Sequence, residues 1–132
     1  MKTVYLAGPI FGKTDDECKT WRTTARTGLA DIANVRDPID RDYRGHERDN
    51  ARRIVEGDIR DIEQSDIVIV MCNEPSWGTA MEMRLAFEVH KTIVAVVPDK
   101  SKVSPWVRYH ATVLCERLDE ALSYVSGRLA GA

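Results

Sequence analysis

The sequence predicts an α/β domain built on a doubly wound, five-stranded parallel sheet with strand order 2-1-3-4-5 and helices on both faces. Three observations predict it. The stretches "DIVIVM" (66–71) and "TIVAVVP" (92–98) are near-continuous β-branched runs, as expected of strands buried on both faces. Helical patterns separate the candidate strands. The resulting alternation of strand and helix implies right-handed crossovers and a parallel sheet. A chain of 132 residues is read as one domain, 1–132. That length buries a core without disulfide or metal staples.

The elements follow in order. "TVYLA" (3–7) is short, apolar and rich in β-formers. The run "MKTVYLAGPIFGK" around it is too short to span a membrane and is broken by Gly and Pro, so it reads as a first strand rather than a signal peptide. Residues 14–33 carry Trp21, Ala25, Leu29 and Ile32 at helical spacing. "NVRDP" (34–38) is a weak second strand. Residues 49–64 place Ala51, Ile54, Val55, Asp58 and Ile62 on one helical stripe, with Arg53, Arg60 and Asp61 elsewhere. The region 36–61 is dense in charges of both signs and reads as a solvated loop and an exposed helix face, Arg44 and Arg48 included. The third strand, 66–71, is followed by a helix over 79–91. Thr79 and Glu82 have the spacing of a capping box at its start. After the fourth strand, "TVLCE" (112–116) reads as an edge strand, and a helix over 118–130 closes the chain.

In this flavodoxin- or Rossmann-like order, strands 1 and 3 are neighbours whose connections leave to opposite faces, and ligands bind at their carboxyl ends. The loops "GPIFGK" and "CNEPSWG" should therefore line a site. Composition narrows what binds there. The net charge of −2 leaves no footprint for polymeric nucleic acid or an anionic membrane. Cys18, Cys72 and Cys115 are odd in number and lack a CxxC, which suits a reducing, cytoplasmic setting. No cluster has metal spacing, and no Walker loop, G-x-S-x-G elbow or G-x-G-x-x-G occurs, so no cofactor is expected.

Two carboxylates stand out. Glu82 shares its helical face with Leu85, Ala86 and Val89, whereas Arg84, Glu88 and Lys91 form the polar stripe. Asp58 lies on a comparable stripe of the preceding helix. An acid on an apolar face needs a hydrogen-bond partner or shifts its pKa. From pattern alone, local capping and an active-site pair stand level. Paired carboxylates of this kind serve glycosyl chemistry, one acting at the anomeric carbon and the other on a proton.

Three segments, "VYLAGPIF", "GDIRDIEQSDIVIV" and "GTAMEMRLAFEVHKTIVAVV", resemble the nucleoside 2-deoxyribosyltransferase family in order and spacing, and frame nearly the whole chain. The resemblance implies that Glu82 is a nucleophile at C1′ and Asp58 an acid near the leaving base. It makes Tyr5 the hydroxyl that orients Glu82, and Gly8 and Gly78 points of close substrate approach. Ser76 stands where the transferases of free nucleosides carry an acid, six residues before the nucleophile. That departure resembles a branch of the family that hydrolyses nucleoside 5′-monophosphates, in which this serine contacts phosphate. Ser104 resembles a second such serine, supplied there by a neighbouring subunit. Pro9 and Arg84 depart from the family pattern, with Arg84 expected on the outer face.

Other residues have local readings. Trp77 and Phe11 either stack on a base or pack as loop aromatics. Trp106 and Tyr109 are read as packing residues at a subunit contact or at the edge of the site. The three histidines show no pairing pattern, and Cys72 reads as a small buried residue. The expected activity is cleavage of the N-glycosidic bond of a nucleoside or nucleoside 5′-monophosphate through a covalent glycosyl-Glu82, resolved by water. Nucleobase exchange and a non-catalytic nucleotide-sensing module are the alternatives. The expected partner is a small nucleoside or nucleotide, and the expected assembly a homodimer or higher homo-oligomer.

Overall fold

The computed structural model describes residues 1–131. Its elements are β1 (Thr3–Ala7), α1 (Asp15–Leu29), β2 (Asn34–Arg36), α2 (Glu47–Glu63), β3 (Ile67–Met71), α3 (Trp77–Glu88), β4 (Thr92–Val96), α4 (Pro105–His110), β5 (Val113–Cys115) and α5 (Leu118–Ala130). The sheet is parallel throughout, in the order β2-β1-β3-β4-β5. The predicted fold class is the observed one.

Side chains alternate across the sheet, as the strand period of two requires. Val4, Leu6, Ile67, Ile69, Val94 and Val96 pack with Ala25 and Leu29 of α1 and Ala121 and Val125 of α5. Tyr5, Ala7, Val68, Val70, Ile93 and Ala95 pack on the other face with Ile62 of α2 and Met83 and Ala86 of α3. Every residue of β3 is buried, which accounts for its unbroken apolar run. The parity of β1 therefore points Tyr5 toward the helices that carry Asp58 and Glu82.

Several local expectations are corrected. Helix α3 starts at Trp77, not Thr79. Ser76 is its N-cap and accepts a hydrogen bond from the Thr79 amide at 3.4 Å. Thr79 is a buried residue of the first turn, and its hydroxyl makes no hydrogen bond. The capping box is thus absent, and Glu82 has no part in starting the helix. In α2, Ala51 and Val55 face solvent, while Gly57 and Asp61 are buried beside Ile62. Asp61 turns inward because two arginines, Arg36 and Arg41, pair with it. The backbone of α2 is non-helical at Asn50 (φ −124°), so the start predicted at residue 49 falls next to a kink.

Nor is the 36–61 region simply solvated. Asp37 is buried against Arg22, which donates to its Oδ1 at 2.7 Å and to the carbonyls of Leu6 and Gly8 at 2.9 Å each. This fastens α1 and the β2–α2 connection to the carboxyl end of β1. Helix α1 stops at Leu29, short of residue 33, and the short α4 has no counterpart in the sequence reading. His110, at the end of α4, is paired after all: it is buried, with Nδ1 2.6 Å from the Trp106 carbonyl and Nε2 3.1 Å from Arg84.

Candidate active site

Asp58 and Glu82 meet at one cleft at the carboxyl end of β1 and β3, with Tyr5 bonded to Glu82 from behind. Tyr5 is fully buried, and its hydroxyl donates to Glu82 Oε2. Glu82 sits one turn into α3, and Asp58 in the fourth turn of α2. Both line a cavity of about 170 Å³ together with residues of the β1–α1 and β2–α2 connections. Arg41, from the β2–α2 connection, donates through Nη2 to Asp58 Oδ1 at 2.9 Å and through Nη1 to Asp61.

Burial governs the electrostatics. It pushes the Glu82 carboxyl up to about 8, and the nearby Asp58 carboxylate adds to the rise; the Tyr5 hydroxyl, Arg22 and Arg41 pull against it. Burial also raises Asp58, with hydrogen bonding and charge from Arg41 opposing. The Tyr5 hydroxyl is driven far above its ordinary value, first by burial and then by the charges of Glu82 and Asp58, so it remains a proton donor. Two close carboxylates with raised pKa values titrate as a coupled pair, so protons bind to the pair in steps that belong to neither acid alone.

The remaining predicted residues divide. Gly8, Phe11, Ser76 and Gly78 line the cleft. A side chain at Gly78 would project into open space, whereas a Cβ at Gly8 would lie 2.6 Å from Trp21 Cζ2. Packing against Trp21 therefore requires Gly8 to be glycine, in addition to any approach of substrate. Pro9 borders a separate small pocket with Lys13 and Glu74, which form an ion pair joining the two crevice loops. Trp77 is 87% exposed and does not line the cleft. Ser104 caps α4, accepting from the Trp106 amide at 3.1 Å, and does not line the cleft of its own chain either.

Arg41, Tyr43 and Arg44 also line the cleft, and the sequence reading did not place them there. Arg44 is held by Asp42 and Asp15. The signal was "DRDYRG" (40–45), in which acids and arginines alternate over a few residues. Among the described residues no group of His, Cys, Asp and Glu is arranged to hold a metal ion.

A family model described as nucleoside 2-deoxyribosyltransferase matches residues 4–123. The chain belongs to the nucleoside 2-deoxyribosyltransferase family. Comparison with curated proteins gives no match. Solved structures share the fold. A 2-deoxyribosyltransferase from Bacillus psychrosaccharolyticus superposes with a TM-score of 0.74 at 19% identity, covering 96% of this chain and 95% of that one. A 2-deoxyribosyltransferase from Leishmania mexicana gives 0.73 at 20% identity, covering 94% and 96%. A CMP N-glycosidase from Clostridium botulinum gives 0.66 at 18% identity, covering 95% and 98%. The deoxyribosyltransferase fold thus carries both transfer and N-glycosidic cleavage among its solved members, and Glu82 lies in the matched segment.

Proposed function

We propose that this protein cleaves the N-glycosidic bond of a nucleoside or nucleoside 5′-monophosphate by double displacement. The observation that carries the reading is the hydrogen bond from buried Tyr5 to Glu82, in a cleft that Glu82 lines together with Asp58. In the reactive form Asp58 carries a proton, and Glu82 is ionised and aligned by Tyr5. Glu82 attacks C1′, the bond to the base breaks, and the base leaves with the Asp58 proton. Asp58, now a carboxylate, takes a proton from water as that water attacks C1′ and releases Glu82. Each step inverts the anomeric carbon, so the overall outcome is retention. A second nucleobase in place of water gives transfer.

Ser76 and the amides of the first turn of α3 border the same cleft and suit an anionic substituent on the sugar. Ser104 reaches substrate only from a second copy of the chain. Helix α4 exposes Trp106 and Tyr109 beside it, which fits such a homo-oligomer.

The test is incubation with a panel of nucleosides and 5′-monophosphates, with and without an acceptor base, followed by chromatography of free base. The expected result is base release that E82A lowers by several orders of magnitude, about 10³-fold or more, while the protein stays folded. Near-normal release by E82A, or none by the wild type on any substrate, overturns the reading.

A further inference from the structure

The geometry points to Arg41 as a positioning residue that fixes Asp58 through one carboxylate oxygen and places a positive charge in direct contact with that acid. This deepens the proposed glycosidic reading and rests on it for its catalytic consequence.

The placement is built, not incidental. Arg41 forks between Asp58 Oδ1, at 2.9 Å, and Asp61. Asp61 is 5% exposed, and Arg36 donates to its other oxygen at 2.9 Å. The guanidinium is therefore anchored from behind by a buried acid that does not line the cleft. Gly57, one residue before Asp58, makes room for it: a Cβ there would fall 2.8 Å from Arg41 Nε. Arg41 itself lines the cleft, and its buried Nε has no hydrogen-bond partner. An exposed ion pair needs none of these supports.

The consequence is a division of labour. With Oδ1 committed to Arg41, Oδ2 is the Asp58 oxygen left to carry the proton. The groups acting on the pair come from every packed element: Tyr5 from β1, Arg22 from α1, Arg41 from the β2–α2 connection, and Asp61 from α2. Asp61 opposes ionisation of Asp58, and Arg41 and Arg22 favour ionisation of Glu82. Arg41 alone among these cations bonds one of the two acids and lines the cleft.

The experiment is a titration of the Asp58 and Glu82 side-chain carboxyl carbons by ¹³C NMR, without substrate, in wild type, R41M, R41K and G57A. In R41M the Asp58 midpoint should rise by about one pH unit or more, as removal of a cation within ion-pair distance predicts, and the Glu82 midpoint should rise by less, because Arg22 acts on it more strongly than Arg41 does. R41K should restore most of the shift. G57A, which keeps the charge but pushes the guanidinium away, should raise Asp58 in a helix that alanine favours, so it serves if R41M does not fold. Unmoved midpoints in R41M, or an unmoved Asp58 midpoint in G57A if R41M fails to fold, overturn the assignment. The acidic limb of kcat/KM should move to higher pH with the R41M midpoints. A protein that shows the NMR shifts yet releases no base keeps the Arg41 assignment and sinks the glycosidic reading. A base-releasing enzyme with unmoved midpoints does the reverse.

Discussion

Glu82 is the residue at which stability and chemistry pull apart. Its carboxyl is held up to about 8, above its ordinary value of 4.5, because burial and Asp58 disfavour the charge. Between those pH values the folded state binds more protons at this site than the unfolded state does. The contribution of Glu82 to stability is therefore present below about pH 4.5 and is lost as pH rises through 8. E82Q removes the ionisation while keeping the shape. Its melting temperature should match wild type near pH 5 and exceed it at pH 8, by roughly 2 kcal/mol or more of unfolding free energy. Thermal melts at the two pH values check this; a gain of equal size at both would mean that the carboxyl titrates normally. The apolar face of Glu82 was legible because helical phase survives a two-residue error in where the helix starts. Asp61 was not legible: its partners, Arg36 and Arg41, come from segments 25 and 20 residues away. No periodicity within α2 encodes a contact of that range.

At the scale of elements, strands were read more closely than helix ends. Short apolar stretches and β-branched runs are strong local signals, whereas the cap of α3 turned on whether Ser76 or Thr79 lay outside the helix. Both types cap well. Helix α4 is only six residues long and offers no full stripe to detect. The far end of α3 carries a local strain. His90 follows the helix at φ 62°, a left-handed conformation that favours glycine, and the Lys91 amide closes back on the Ala86 carbonyl at 2.9 Å. His90 is exposed, so H90G removes no packing. It should stabilise the protein by about 1 kcal/mol, read as a higher denaturant midpoint with unchanged slope.

For the molecule as a whole, the buried Arg22–Asp37 pair links three segments that no local pattern joins: α1, the end of β1 and the start of the β2–α2 connection. Both side chains are almost fully buried. R22M leaves Asp37 without its main counter-charge and should cost about 3–5 kcal/mol by equilibrium unfolding. The loop that carries Arg41 begins at Asp37, so base release should fall further than E82-independent folding losses explain. Assembly belongs to the same scale. If Ser104 acts on a partner's substrate, light scattering should find a homo-oligomer, and W106A should shift it toward monomer with activity falling in step. A fully active monomer would remove Ser104 from the site.

The position of β1 in the sheet has a consequence in time. Tyr5 sits on a strand with a neighbour on each side, opposite Arg36 of β2 and Val68 of β3. Detaching that strand means unzipping two ladders at once, so its amides should exchange with deuterium only at the rate of global unfolding. Asp58 and Glu82 reside on helices laid against the sheet, whose amides should exchange sooner than those of β1. One wall of the cleft is therefore as durable as the protein itself, and any opening that admits substrate or frees product must come from the other.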